Sequence, residues 1–376
     1  MDINFDNNFE KMGLFDLDGV FNSEGFIAPL DESTATPSKK AIEHANIEEM
    51  MLQVQIERGR KLKIEKFYLN NTKLLREIIE SGLDTRNGYE ISVDHVVKDI
   101  PYIETKATIQ YDGPNSSVPV VLTPWDKAVL DAVYTLQMNK YFVMTPKMIS
   151  RVMTGDMNVK ASKTRVEKIE KSLEKLRHTL ITIDARNEMM QRGGVKRTDD
   201  VMMVRTASLL YSEKIEWVHP GNRRKYNGYL IQLTSLPYHY AGLVKQIIAG
   251  DMDVRYIRSL RDTDDNIVLK DYLYNRIAVM KSEKNSMNGR ELSLQWFDKN
   301  TKKERGILAD IGLDERKYTK GSWKDKKYKT VSCIETILEN YKKAGLIKGF
   351  KRVTDSLKSY GTGLEARGTK GFLIKL

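Results

Sequence analysis

The sequence contains little of what secreted, membrane-embedded or metal-binding proteins use. One cysteine among 376 residues cannot form an intramolecular disulfide bond. No apolar run approaches the roughly 18 residues that span a bilayer, and the acidic start MDINFDNNFEKMG lacks the segments of a signal peptide. The five histidines show no spacing typical of metal ligands. These absences predict a cytoplasmic protein with no membrane partner, no metal and no cofactor.

Acidic residues are concentrated in the first third of the chain and basic residues in the remainder. Residues 1–112 contain 13 Lys and Arg against 21 Asp and Glu, a net charge of −8. Residues 113–376 contain 49 against 30, a net charge of +19 within a total of +11. A basic excess of this size is the electrostatic footprint expected of a protein that binds phosphate backbones. Charge alone leaves nucleic-acid binding and an ordinary solvated surface as equal alternatives.

An apolar pattern occurs twice at an offset of 165 residues. The first copy is Val166, Ile169, Leu173, Leu176, Leu180 and Ile181, and the second is Val331, Ile334, Leu338, Tyr341, Leu346 and Ile347. Each copy predicts a basic amphipathic helix that runs into a β-branched strand. Amphipathic helices precede both copies, at Trp125–Gln137 and Asn266–Met280. The order of helix, helix, basic helix and two-stranded wing is the outline of a winged helix, and its repetition predicts two such units.

The predicted fold class is therefore α+β and helix-rich, with two tandem winged-helix domains behind an N-terminal extension. The predicted segments are a flexible acidic N-terminus (1–45), an extension of unknown fold (46–120), a first winged-helix domain (121–234), a connector (235–263) and a second winged-helix domain (264–376). Within the extension, apolar spacing predicts a helix over 47–81, and β-rich stretches predict strands within 89–122. The connector is predicted to be partly helical from Tyr238 to Ile248.

Local signals predict the elements of the first unit. Thr123-Pro124 and Thr145-Pro146 each combine a capping side chain with a proline suited to a first helical turn. Gly155 ends the second helix, and Ser162 opens the basic helix, whose Lys163, Arg165, Lys168, Lys171 and Lys175 are predicted to face outward. Residues 180–186 and a strand from Met202 are predicted to form the wing. Strands at 208–217 and 229–233 are predicted to add a further hairpin.

The second unit is predicted to repeat this order from Asp264 onward. A short strand at 291–296 and a helix at 302–311 ending at Gly312 match the first copy. The stretch 316–329 is very basic and leads into the second basic helix, and 346–353 pairs with 371–374 as the wing. The acidic pairs Asp199-Asp200, at a wing tip, and Asp264-Asp265, at a helix start, are interpreted as a turn and a helix cap rather than as metal ligands.

The predicted DNA-contacting residues are the lysines and arginines at the two basic-helix starts, in the wings and at the hairpin tip. They are Lys160, Lys163, Arg165, Lys168, Arg192, Lys196, Arg197, Arg223, Arg224, Lys225, Lys324, Lys326, Lys327, Lys329, Lys351, Arg352, Lys358, Arg367 and Lys370. Positive side chains at the start of a helix can reach both phosphates and base edges of a major groove. The alternative for an isolated basic helix is a solvated face, and repetition of the whole pattern favours double-stranded DNA as the partner.

Two enzyme-like motifs are present, and the sequence predicts that neither is catalytic. LFDLDGV, with Asp16 and Asp18, resembles the nucleophile motif of haloacid-dehalogenase-like phosphatases, but polar residues precede it where that fold requires a strand. The stretch GLEARGTK at 363–370 approaches a phosphate-binding loop, yet only six residues follow it and no helix can hold the phosphates. A basic wing turn is the favoured interpretation of this second stretch.

Over about residues 120–376, the order and spacing of elements resemble those of iteron-type plasmid replication initiators, which carry two winged-helix domains in tandem. The stretch TDDNIVLKDYLYNRIAVMKS at 263–282 looks like the helix that opens their second domain. The resemblance implies binding of direct repeats at a plasmid or phage replication origin, homodimers that can be inactive or repressive, and recruitment of host replication proteins. The acidic extension of about 120 residues departs from the short N-terminus of those initiators.

This interpretation implies a positional mechanism in which the two basic helices enter successive major grooves on one face of the duplex. A winged-helix transcriptional regulator or a partition protein would use the same parts without opening an origin. A phosphatase centred on Asp16 is the less favoured alternative from another class.

Overall fold

The computed structural model describes residues 62–97, 100–114, 118–191, 204–218, 225–231, 233–282, 290–298, 303–354 and 369–376. Helices alternate with strands that pair antiparallel in several small sheets. The predicted α+β class is therefore confirmed. The predicted N-terminal segment 1–45, with Asp16 and Asp18, lies outside the described residues.

The helices and strands fall into three consecutive stretches of the chain. The first stretch contains β1 (Lys66–Asn70), α1 (Lys73–Glu80), β2 (Tyr89–Val97), β3 (Ile100–Tyr111), α2 (Pro124–Met138), β4 (Val143–Met144), α3 (Pro146–Thr154) and α4 (Lys163–Arg177). Next come β5 (Thr179–Asp184), α5 (Arg186–Gln191), β6 (Val204–Ser208), β7 (Glu213–Val218), β8 (Lys225–Leu230), α6 (Leu236–Leu243), β9 (Ile247–Asp251) and α7 (Met252–Arg255). The last stretch contains α8 (Asp264–Ser282), β10 (Arg290–Ser293), β11 (Trp296–Asp298), β12 (Lys303–Arg305), α9 (Ile307–Asp310), α10 (Lys320–Lys343), β13 (Gly349–Thr354) and β14 (Thr369–Lys375).

The predicted helix caps of the first unit are confirmed. Thr123 and Asp126 form a reciprocal capping box at the start of α2, and the Thr145 side chain accepts from the backbone N–H of Met148 at the start of α3. The Ser162 side chain likewise caps α4 by accepting from the N–H of Arg165. Each cap satisfies a backbone donor that has no partner within the helix. The helix boundaries in this unit therefore follow from local chemistry.

Both hairpins that the sequence predicts for the first unit are formed, since β5 pairs with β6 and β7 pairs with β8. Strand β8 pairs with both β4 and β7, in the arrangement in which β14 pairs with both β10 and β13 in the second unit. The hairpin equivalent to β13–β14 is therefore β7–β8, which the sequence suggests only as an addition. Strands β5 and β6, the predicted wing, join β2 and β3 in a four-stranded sheet of order β2-β3-β5-β6. The local sequence predicts where strands occur, but it does not determine which distant strands they pair with.

The extension and connector also contain a strand pair that apolar spacing does not predict. Strand β1 falls within the helix predicted over 47–81, and it pairs antiparallel with β9 from Lys66–Asp251 to Asn70–Ile247. The predicted helix is correct for Lys73–Glu80, and the helix predicted from Tyr238 to Ile248 ends at Leu243. Short apolar runs fit either a strand or a buried helix, and here pairing with a distant partner decides the outcome.

The second helix of the second unit is shorter than predicted. Where the sequence predicts a helix over 302–311, strand β12 pairs with β11, and α9 has a single turn. Gly306 separates them with a φ of +105°. A Cβ at this position would lie 2.9 Å from the carbonyl oxygen of Ser293, so glycine is required both by conformation and by space.

Two apolar cores meet at helix α8. One core extends from Leu62 to Ile267, and the other from Ile257 to Ile374. In α8, Ile267 belongs to the first core, whereas Leu269, Leu273 and Ile277 belong to the second. Helix α8 therefore packs against both parts of the chain.

In the parts of the chain that the structure describes, no helix combines the length and apolar composition needed to cross a membrane.

Candidate nucleic-acid interface

Helix α4 carries the first group of predicted DNA-contacting residues. Its inner face is fixed by Ile169, Leu173 and Leu176, all fully buried. Lys160 and Lys163 are exposed at its start, and 92% of the Lys163 side chain is accessible. Lys163 lies 3.9 Å from Glu167, a separation at which an exposed pair contributes little. The start of α4 therefore presents accessible positive charge.

Helix α10 carries the second group and is longer than its counterpart. At the repeat offset α10 would begin at residue 328, but it begins eight residues earlier, at Lys320, where the Thr319 side chain accepts from the N–H of Ser322. Its first ten residues contain five lysines and one aspartate. Lys320, Lys324 and Lys329 are exposed, Lys327 is half-buried, and Trp323 is buried with its ring 5.5 Å from that of Tyr318. The predicted lysines thus lie within the helix, on turns that α4 does not have.

Three of the predicted DNA-contacting residues are engaged by the acidic start of α8. The Lys168 ammonium lies 2.7 Å from Asp264 Oδ2, and Lys326 pairs with Asp265. Arg165 donates to the backbone carbonyl of Asp262, and its guanidinium lies 3.8 Å from Asp264 Oδ1. Lys168 also sits 4.2 Å from the centre of the Trp125 ring. Asp264 and Asp265, which we call the α8 carboxylates, therefore join the two basic helices.

Lys175 does not face outward as predicted. Its ammonium donates to the Val121 carbonyl at 2.9 Å and to Asp126 Oδ2 at 2.5 Å. The other oxygen of the buried Asp126 accepts from Ser172 Oγ at 2.7 Å. The apolar periodicity of α4 carries no information about a buried carboxylate on another helix, at the start of α2. The sequence alone therefore predicts a surface position for Lys175.

The described part of the predicted second wing contains Lys351, Arg352 and Lys370. Lys351 and Lys370 are exposed on β13 and β14. Arg352 donates from Nε to Glu335 on α10 at 2.8 Å. This pair fixes β13 against α10, so Arg352 positions that strand rather than presenting an unengaged cation.

Several predicted residues lie where the structure gives no description of their side chains. Lys225 begins β8, but its side chain is not among those described. Outside the described residues lie Arg192, Lys196, Arg197, Arg223, Arg224, Lys358 and Arg367. The interpretation of GLEARGTK as a wing turn falls mostly on residues before 369, which are likewise outside them.

The sequence does not reveal the role of the α8 carboxylates. The pair Asp264-Asp265 is visible in the sequence, and its predicted place at the start of α8 is correct. Its partners lie 96 residues upstream, at Lys168, and 61 residues downstream, at Lys326. A charge pattern along one helix reveals only neighbours three or four residues apart.

A small cavity lies between α1, α2, α8 and α9, away from the basic helices. It has a volume of about 80 Å³ and is lined by Glu80, Asp271, Asn275 and Asp310 among others. Burial is the largest cause that raises the pKa of Glu80 to about 7 and of Asp271 to about 6, despite attraction by Arg305 and Arg255 respectively. Burial also raises the pKa of Asp310.

Within the described ranges, no group of three or more His, Cys, Asp or Glu side chains is arranged to hold a metal ion.

Comparisons with known proteins give little further information. No family model matches the chain, and no curated protein matches it significantly. A crystal structure of selenomethionine derivatives of domains 2 and 3 of RctB is similar over 78% of this chain and 94% of that chain, with 11% sequence identity and a TM-score of 0.35. Similarity at this level assigns neither a family nor a function.

Proposed function

We propose that the chain binds double-stranded DNA through two winged-helix units, with α4 and α10 as the recognition helices. One observation carries the proposal: the repeated basic helices both pair with the α8 carboxylates, so the first turns of α4 and of α10 lie near each other, and both carry exposed lysines. Lys160 and Lys163 are exposed at the start of α4, and Lys320, Lys324 and Lys329 are exposed on α10; we call these five residues the basic surface. Lysine side chains of this kind bind DNA phosphates and set the orientation of a protein on the duplex.

The strand order supports the assignment of both units as winged helices. In each unit, the strand that follows the first helix pairs with the last strand of a hairpin that comes after the basic helix. These pairs are β4 with β8 and β10 with β14, and each hairpin is completed by β7 or β13. The two units therefore share the pairing of strands that lie far apart along the chain as well as the spacing of their helices. Shared strand pairing supports a common fold more strongly than shared helix spacing does.

The positions of Lys168 and Lys326 change the expected geometry of DNA contact. Their partners are consecutive residues, whose Cα atoms lie about 3.8 Å apart. Equivalent points in successive major grooves are separated by about 34 Å. Lys168 and Lys326 lie much closer together than this groove spacing. We therefore expect the parts of α4 and α10 that carry them to approach one segment of duplex together. This replaces the expectation of two separate groove contacts one helical turn apart.

We further propose that the protein is a non-enzymatic initiator of plasmid or phage replication. Binding to origin repeats would place it beside the duplex to be opened, and homodimers and host replication proteins would complete the assembly. A transcriptional regulator or partition protein is the second candidate, because the same basic surface serves either role. The less favoured alternative is a phosphatase centred on Asp16. It predicts magnesium-dependent hydrolysis of a phosphoester, and Asp16→Asn should abolish that activity.

The salt dependence of binding tests the proposed contact of α10 with DNA. If six to ten phosphates are neutralised, the logarithm of affinity should fall against the logarithm of salt with a slope of roughly −5 to −9. Replacing Lys324, Lys327 and Lys329 by alanine should weaken binding and flatten this slope by about one to three. The variant Lys342→Ala/Lys343→Ala/Lys348→Ala removes the same charge near the far end of α10, about 24 Å away along the helix. It should retain most of the wild-type affinity and slope.

Equal effects of the two triple variants would show that net charge, rather than the start of α10, determines binding. No effect of either variant would place the DNA-binding surface elsewhere.

Selection of bound fragments distinguishes an initiator from a regulator. A randomised duplex pool, mixed with the DNA that flanks the gene, is incubated with the full chain at near-physiological salt. Enrichment of directly repeated sites beside the gene supports an initiator, whereas a single inverted repeat over a promoter supports a regulator. Weak binding without enrichment contradicts sequence-specific recognition.

A further inference from the structure

The start of α8 lies between the two proposed recognition helices and is strongly acidic. Asp262, Asp264 and Asp265 fall within four residues. Asp264 pairs with Lys168 of α4, and Asp265 pairs with Lys326 of α10. One short segment therefore places two negative charges against cations of both helices.

Capping of α8 does not require these carboxylates. The Thr263 side chain accepts from the N–H of Asn266 at 3.3 Å, and the Thr263 carbonyl accepts from the N–H of Ile267 at 3.0 Å. Thr263 thus performs the capping role that the sequence suggests for the aspartates. The side-chain bonds of Asp264 and Asp265 instead run outward to lysines.

Both pairs remain accessible to a competing anion. The side chains of Lys168 and Asp264 are 44% and 38% exposed, and those of Lys326 and Asp265 are 26% and 45% exposed. Exposed ion pairs are weak because water and salt screen them. A DNA phosphate offers the same charge-assisted hydrogen bond as a carboxylate, so it can displace Asp264 or Asp265 from its lysine.

We infer that the α8 carboxylates act as internal phosphate substitutes that restrain binding of non-specific duplex DNA. This inference rests on the proposed DNA-binding function. Non-specific binding depends almost entirely on phosphate contacts, so occupation of Lys168 and Lys326 lowers it directly. Asp264 and Asp265 therefore weaken binding to a duplex that offers only phosphate contacts, whereas a specific site adds base contacts from other residues.

The test compares the full-length wild type with Asp264→Asn/Asp265→Asn on a random-sequence duplex at several salt concentrations. The variant should bind about 3- to 30-fold more tightly at near-physiological salt, with a slope steeper by about one to two, because each released lysine can engage one phosphate. Each single variant should show a smaller increase. Asp264→Glu/Asp265→Glu, which retains both charges, should bind like the wild type.

A matched control separates local competition from a general gain of positive charge. Glu90→Gln/Asp94→Asn changes the net charge equally on β2, whose sheet adjoins the C-terminal end of α4 through β5. Both of these side chains are exposed. This variant should bind the random duplex within about twofold of the wild type, because exposed charges beyond a Debye length of about 8 Å are screened.

The outcomes separate the two proposals. If the wild type binds DNA but Asp264→Asn/Asp265→Asn binds equally tightly, more weakly, or no better than the control, the inference is wrong and the proposed function stands. Binding by the variant when the wild type fails to bind supports both proposals. If neither protein binds any duplex even at low salt, the proposed function fails, and the inference fails with it. Thermal unfolding of each variant shows whether weaker binding reflects loss of fold.

Discussion

The ammonium group of Lys270 donates a 2.7 Å hydrogen bond to the backbone carbonyl of Thr154, the last residue of α3. Lys270 lies in the middle of α8 and is almost fully buried, so this bond joins the two winged-helix units that we propose. The neighbouring Arg255 donates to the carbonyl of Met153 at 3.1 Å. Two buried cations thus satisfy carbonyls at the negative end of a helix, where a positive charge is favoured.

Lys270→Met is expected to lower the free energy of unfolding by about 1–3 kcal/mol, because it leaves the carbonyls of Thr154 and Arg255 without their donor. Methionine retains most of the side-chain volume, so the loss reports on the polar contacts. Urea unfolding measures the change. Lys281→Met, at an exposed position of the same helix, should alter stability by less than about 0.5 kcal/mol. Equal effects of the two substitutions would show that the buried bonds contribute nothing.

Gly155 and Gly312 both have a φ of +80°, but their surroundings differ. A Cβ on Gly155 would lie 2.7 Å from the backbone of Arg255 and Tyr256, whereas the nearest atoms to one on Gly312 lie 3.7 Å away. Gly312→Ala should therefore cost about 1–2 kcal/mol of backbone strain. Gly155→Ala should cost about 1–3 kcal/mol more because of the clash. Similar unfolding midpoints in urea would contradict a close approach of α3 to the 255–256 segment.

Lys175 and Lys171 provide a similar comparison on α4. Lys175→Ala leaves the buried Asp126 without its ammonium partner and should destabilise the protein by about 1–3 kcal/mol. Lys171 is exposed, and Lys171→Ala should change stability by less than about 0.5 kcal/mol. Calorimetry measures both. Destabilisation by Lys171→Ala alone would reverse the assignment of inward and outward faces.

Glu80, which lines the cavity between α1, α2, α8 and α9, predicts a pH dependence of stability. Burial raises the pKa of Glu80 from 4.5 to about 7, with repulsion from Asp310 adding to the shift. Between these values the folded protein binds a proton that the unfolded chain has released. The free energy of unfolding should therefore fall as the pH rises from about 4.5 to 7. The pKa of Asp84, lowered to about 2 mainly by its hydrogen bond with Arg86, acts in the opposite sense only below about pH 4.

Between about pH 4.5 and 7, Glu80→Gln should reduce the fall in the free energy of unfolding by about 1–3 kcal/mol, since one unit of pKa corresponds to about 1.4 kcal/mol. Urea unfolding at a series of pH values measures it. Glu90→Gln removes an exposed carboxylate and controls for the change in net charge. An unchanged pH profile for Glu80→Gln would show that Glu80 does not titrate in this range.

Capping and apolar periodicity are sufficient to predict the helices from Thr123 to Arg177. Thr123, Thr145 and Ser162 each cap a helix within their own segment, and Gly155 ends one with a backbone conformation that glycine readily adopts. These features depend on residues up to four positions apart, so they can be read directly from the sequence. The second unit departs from its predicted pattern at Gly306, where a close backbone contact is invisible in the sequence.

The sequence by itself determined the repeat, the helix caps, the α+β class and the concentration of basic residues on α4 and α10. Only the tertiary structure decided that β1 pairs with β9, that β8 lies between β4 and β7, and that Lys168 and Lys326 meet adjacent carboxylates. Helical periodicity arises from hydrogen bonds and contacts within one turn of the chain. Strand partners and long-range ion pairs instead depend on how the whole chain packs its cores, so they follow no local spacing.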